Sequence, residues 1–192
     1  FGTAPLAASA IASQIAAVAF MIPLALGQAS SVRVGHFAGA NDRGNISRAA
    51  WAAMSAAIAT TCALSLAIAL LPAQLVALFL GTADALTADV IALAIPLVMI
   101  TALFQTVDGA QVVGISVLRG LNDTKWPAIL SVGSFWGIGV ASGALFAFHF
   151  DFGPLGLWSG LLIGLSAAAL SLGWRMHRSI QRINSGGSIL MG

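Results

Sequence analysis

The sequence predicts an all-α protein, a polytopic transmembrane helix bundle of five spanning helices with the N-terminus outside the cell and the C-terminus in the cytoplasm. Three observations carry this. Of 192 residues, 59% are hydrophobic and only 7% charged, where a soluble domain carries about 25%. Stretches without formal charge recur at lengths that cross a bilayer. Threaded through a membrane, those stretches put every basic residue on one side. So few charges cannot cover a water-facing surface, which excludes a soluble enzyme and a disordered tail. The mean hydropathy of +0.97 points the same way. The basic balance is then a topology signal and not a mark of nucleic-acid binding. One cysteine, Cys62, excludes an intrachain disulfide framework, and its apolar setting suits packing better than chemistry.

A helix needs about 20 apolar residues to cross the hydrocarbon core. Residues 1–32 carry no charge, and Pro5 suits a first helical turn, which gives a first span over 6–33. Residues 49–83 carry none either and exceed one crossing at about 1.5 Å per residue. Pro72 therefore ends a second span over 46–71 and leaves Gln74 to Leu80 as a short interfacial piece. Residues 90–118 hold a single charge, Asp108, and give a third span over 89–119. Residues 126–150 and 152–174 give the fourth and fifth, over 125–149 and 153–177. Gly39 to Asn45 and Asn122-Asp123-Thr124 are turn clusters, and Ser185-Gly186-Gly187-Ser188 opens a flexible cytoplasmic tail over 184–192. The chain begins with Phe1, without Met or a basic leader, and reads as a piece of a longer or processed protein.

The basic residues test this division. Arg33, Arg43 and Arg48 lie between spans one and two, Arg119 and Lys125 between three and four, and Arg175, Arg178 and Arg182 after five. The alternate loops hold Asp84, Asp89 and Asp151 but no Lys or Arg. The positive-inside rule makes the basic side cytoplasmic, in the cell inner (plasma) membrane.

Lipid tails are as apolar as leucine, so helix association needs close approach and polar contacts. Small residues at four-residue spacing supply the first: Gly133 with Gly137, Gly139 with Gly143, and the run Gly156, Gly160, Gly164. Trp126, Trp158 and Trp174 sit near span ends as interface anchors, whereas Trp136 lies mid-span and is expected to pack inside, with a place in a cavity wall as the alternative. Pro23 and Pro96 fall within spans one and three, where proline kinks a helix and frees a carbonyl.

Asp108 is the anomaly. It stands 11 residues before Arg119, about 16 Å along a helix and close to the bilayer centre. Ionised and unpaired there, it costs at least about 2.5 kcal/mol. No Lys, Arg or His shares its depth, so it is either protonated or compensated by a cation or water. That is the chemistry of proton or sodium coupling, and it makes Asp108 the candidate coupling-ion residue; the bland alternative is a permanently neutral acid bonded to a carbonyl. Thr101, Gln105, Asp108 and Gln111 fall within one helical stripe, at steps of four, three and three, as a cavity-facing or partner-facing surface does. Ser13 and Gln14 form a second polar pair at mid-depth; they either complete a site with Asp108 or make interhelical hydrogen bonds.

Enzymatic constellations are missing. There is no His-Glu-x-x-His zinc motif and no second intramembrane aspartate, and His36, His149 and His177 sit at membrane edges. No resident metal or cofactor is expected beyond a coupling proton or a sodium ion at Asp108.

The run Phe104-Gln105-Thr106-Val107-Asp108-Gly109-Ala110-Gln111-Val112-Val113, followed by Leu118-Arg119-Gly120 and Asn122-Asp123, resembles the tenth helix of multidrug and toxic compound extrusion (MATE) transporters of the NorM type. Pro23 to Ala29, then Val32-Arg33-Val34-Gly35-His36 and Gly39-Ala40-Asn41, is similar to their eighth helix and the loop after it. The resemblance implies that residues 1–183 are most of a C-terminal lobe, helices eight to twelve of twelve. It implies a partner lobe in the same full-length chain, a cavity between the lobes, and export of cationic or amphipathic drugs in exchange for inward-moving protons or sodium. Asp108 matches the family's coupling-ion aspartate, with Gln14, Thr101, Phe104, Gln105 and Gln111 as polar and cavity support. Phe104 stands where members can have a tyrosine, and Ser9-Ala10 replaces a frequent His-Gln pair. Both departures leave the ion open and lean toward protons. A lipid-linked oligosaccharide flippase of the same superfamily would grip pyrophosphate with arginines, and none lies within the spans. A non-transporting membrane scaffold leaves Asp108 unexplained.

Overall fold

The structure, a computed structural model, describes residues 3–80 and 87–189. Asp84, in the acidic loop, and the last three residues of the tail lie outside the described residues. The described residues form helices joined by short turns. Helix α1 runs Thr3–Gly39, α2 Arg43–Leu70, α3 Pro72–Leu80 and α4 Thr87–Gly120. Helix α5 spans Lys125–His149 and α6 Gly153–Asn184. Five of these, all but α3, are long and apolar enough to cross a membrane.

Each expected span lies largely within one long helix, and α1 and α6 run further toward the basic end. Hydropathy stops at the first arginine; a helix stops at a backbone signal. For α1 that signal is Asn41, in the left-handed region at φ 57°, with the Asp42 N–H returning to the Phe37 carbonyl at 3.0 Å. Asp42 then caps α2. One carboxylate oxygen accepts from the Asn45 side-chain amide at 2.6 Å, the other from the Asn45 backbone N–H at 3.1 Å. Those two bonds hold the Asp42 carboxyl below the usual carboxylate range. For α6 the stop is Gly186 at φ 94°, where Gly187 N–H bonds the Arg182 carbonyl at 2.9 Å. The residues after it pack back, and Ile189 is buried in the core at that end.

Pro72 ends α2 as expected and opens α3. Both α1 and α4 continue unbroken through Pro23 and Pro96.

Helix α4 is the axis of the bundle: α1, α2, α3 and α6 all pack on it. Glycines set the close approaches. Gly27 of α1 faces Ser116, and Gly120 of α4 lies against the Ser31 carbonyl and Val34. Helix α5 rests mainly on α6. There Gly139 and Gly143 meet Gly160 and Gly164 backbone to backbone, and Gly156 lies against the backbone of Phe146 and Ala147, while a methyl group at Gly133 or Gly137 would meet nothing within 4 Å. Two stretches of α5, Gly133–Val140 and Leu145–His149, are wound as π-helix, a winding that nothing in the sequence pattern announced. Trp136 is not packed inside: it is 71% exposed, because α5 meets the other helices mainly through its glycine face and Trp136 stands off that face.

The basic end is a single structural end. Arg43 donates from Nη1 to the Ile183 carbonyl at 2.7 Å, tying the start of α2 to the end of α6. Asp123, 2% exposed in the α4–α5 turn, pairs with Arg175 Nε at 2.6 Å. Arg175→Gln is expected to strand that carboxylate. The loss should sit at the lower end of the roughly 3–5 kcal/mol typical of a broken buried pair, since Arg175 is itself partly exposed. Thermal unfolding of the full-length protein in detergent measures it, and an unchanged midpoint would show the pair to be dispensable.

Candidate functional site

Apolar packing in the bundle forms two clusters. One, at the basic end, reaches Ala57 on α2 and Val113 on α4. The other, at the opposite end, stops at Ile68 on α2 and Ala102 on α4. Between them lies a polar layer in the interior of both helices, and Asp108 is in it.

The layer is built from residue types that satisfy themselves. The Thr61 hydroxyl donates to the Ala57 carbonyl one turn back at 2.7 Å, and Thr101 donates to Leu97 at 3.0 Å. Ser65 of α2 reaches across to the Ala102 carbonyl of α4 at 2.5 Å, a bond between helices. Next to Asp108, Gly109 brings α4 so close to α2 that a Cβ there would overlap the Thr61 methyl. Any larger residue at 109 would prise the helices apart beside the carboxylate.

Thr101, Gln105 and Gln111 are buried and Asp108 is partly buried, so the stripe read from the sequence turns inward as a unit. Phe104 and Thr106 border it, half-buried. Gln105 is 1% exposed and its Nε2 has no hydrogen-bond partner. A buried amide donor in that state costs about 1–3 kcal/mol, so the site holds an unsatisfied polar group one turn from the acid. Among the described residues, Asp108 makes no ion pair; the one ion pair there is Arg175–Asp123, at the basic end. An acid held among hydroxyls and amides, with no fixed cation, can exchange a proton or a small cation with its surroundings.

Gln14 is placed elsewhere. It lies on the exposed side of α1, while the face that α1 buries carries Ile11, Ile15, Ala19, Pro23 and Gly27. Ser13 donates its hydroxyl to the Ser9 carbonyl at 2.8 Å. Thr61, Ser65 and Gly109 were not singled out from the sequence. The available signal was slight: two hydroxyls one turn apart on α2, and a glycine following the aspartate.

The MatE family profile matches residues 1–145. A probable multidrug resistance protein NorM of Rhizobium meliloti (strain 1021) is 42% identical over 184 residues, covering 96% of this chain and 39% of that protein. The chain thus spans about two fifths of the length of the curated relatives it matches. Two solved structures of a multidrug resistance MATE family transporter of the MOP superfamily share the fold at 19% identity. The outward-facing one has a TM-score of 0.83 over 93% of this chain and 39% of its own; the inward-facing one has 0.78 over 91% and 39%. With three quarters of its length inside the family profile, the chain belongs to the MatE family.

Proposed function

We propose that this chain is most of the C-terminal lobe of a cation-coupled antiporter. It would export cationic or amphipathic drugs by alternating access, in the cell inner membrane, with its basic end in the cytoplasm. The observation that carries the reading is Asp108 in the polar layer without a basic partner among the described residues. Support comes from Gln105, whose buried amide lacks a partner, and from the multidrug resistance relatives.

The cycle follows from charge. With the carboxylate ionised, the polar layer holds an uncompensated negative charge at hydrocarbon depth, which favours a positive ligand. A proton or sodium ion arriving from outside neutralises it. The neutral layer no longer favours a cationic drug and is less costly to enclose, so the lobe closes around it and the drug leaves outward. Only a ligand with unequal affinity for two states can drive such a change, and the coupling ion meets that condition through one carboxyl group. The drug would contact both lobes, with the ordinary apolar and aromatic side chains of this one forming part of the wall.

The test is drug efflux by the full-length transporter in vesicles under a proton gradient or a sodium gradient, each alone. Efflux driven by one and indifferent to the other names the ion, and protons are the expected answer because Phe104 offers no hydroxyl to a sodium ion. Efflux unaffected by either gradient would overturn coupling.

A further inference from the structure

The basic end of α6 holds a feature that transport does not use. Trp174, Arg175, Arg178, Ser179 and Arg182 line a hollow of about 120 Å³. Its polar groups are donors. The Arg178 guanidinium lies 4.0 Å over the Trp174 ring, which fixes its plane and leaves its N–H edge free. Arg175 commits Nε to Asp123, and its terminal N–H groups make no hydrogen bond among the described residues. Ser179 is only 5% exposed, and its hydroxyl likewise has no hydrogen-bond partner among the described residues. Asp123 is already paired with Arg175, and among the described residues neither Arg178 nor Arg182 makes an ion pair.

The hollow opens at one end of an apolar stripe. Ile163, Leu170 and Trp174 share a face of α6 with Arg178, at steps of seven, four and four, and all three are exposed. The stripe runs from the basic end toward the middle of the span. A free phosphate would use only the donors. A phospholipid would use the donors for its headgroup and the stripe for an acyl chain.

We propose that this end of α6 is a binding site for an anionic phospholipid, its phosphate seated among Arg175, Arg178 and Arg182 and its acyl chain along Leu170 and Ile163. Basic pockets beside spanning helices suit such headgroups, and two arginines without an ion pair among the described residues supply an attraction to net negative charge that a zwitterionic lipid lacks.

The experiment is native mass spectrometry of the full-length transporter titrated with phosphatidylglycerol, with phosphatidylcholine, or with inorganic phosphate alone. The wild type is expected to retain phosphatidylglycerol over phosphatidylcholine. Arg178→Gln with Arg182→Gln, which leaves the Arg175–Asp123 pair intact, is expected to weaken phosphatidylglycerol by roughly thirty-fold, the effect of two basic residues at a membrane surface. Should the double variant not fold, Arg182→Gln alone, at an exposed position, is expected to lose roughly five-fold. Affinity unchanged in whichever variant folds overturns the proposal. So does a site that phosphate fills as well as lipid does, which would make it a free-oxyanion site.

Discussion

Asp108→Asn in the full-length transporter is expected to abolish drug export while the protein still inserts and folds. Asparagine keeps the size and hydrogen-bonding shape of the side chain but removes its second state. The polar layer around it tolerates an amide: Gln105 and Gln111 are already buried there, and Gln105 Nε2 lacks a partner that the new carbonyl could provide. The variant also loses a group that costs about 2.5–3.5 kcal/mol whenever it is ionised and unpaired at this depth. Its thermal midpoint should therefore equal or exceed that of the wild type, while efflux falls to the level of empty vesicles. The opposite signs separate the two roles. A structural acid would give a lower midpoint with efflux reduced in proportion to folded protein. Normal efflux from the variant would sink the coupling role.

Asp108 was legible in the sequence because its anomaly is local. A charge 11 residues from the nearest arginine stands out without any knowledge of neighbours. The five spans were legible for the same reason, since so few charges leave few ways to divide the chain. What escaped depends on contacts between distant residues. The Thr61 and Ser65 hydroxyls look like any others in an apolar helix, and only the approach of Gly109 to Thr61 and the Ser65–Ala102 bond bring them to the site. Asp123 and Arg175 lie 52 residues apart and meet because α6 folds back along α4. Gln14 lies on the exposed side of α1, away from the face that helix buries, and hydropathy does not say which way a polar side chain turns. Helices run past the expected spans where solubility and capping disagree: α1 continues six residues past Arg33 because nothing before the Gly39 to Asn41 turn stops it.

Gly160→Val is expected to cost the most folding stability of any single change, because both sides of its contact are backbone. A Cβ at 160 would overlap the N and Cα of Gly143 and come within 2.9 Å of the Gly139 carbonyl oxygen. No rotamer relieves a clash with main chain, so α5 and α6 must separate. Overpacking usually costs about 1–3 kcal/mol because side chains shift; here the expected loss is at the top of that range or above it. The consequence is large because α5 has little else to hold it, resting mainly on α6 through this one glycine face. The neighbouring contacts are scarcely looser: Gly164 would place a Cβ 2.6 Å from the Gly139 Cα, and Gly156 one 2.6 Å from the Ala147 N. Gly133→Ala and Gly137→Ala are the controls. A Cβ at either meets nothing within 4 Å, and alanine favours the helix by roughly 0.8–1.0 kcal/mol over glycine. Size-exclusion chromatography after a temperature ramp should show the controls unchanged or improved and the Gly160 variant lost at the lowest temperature. A Gly160→Val protein as heat-resistant as the wild type would mean that α5 and α6 do not meet along this face.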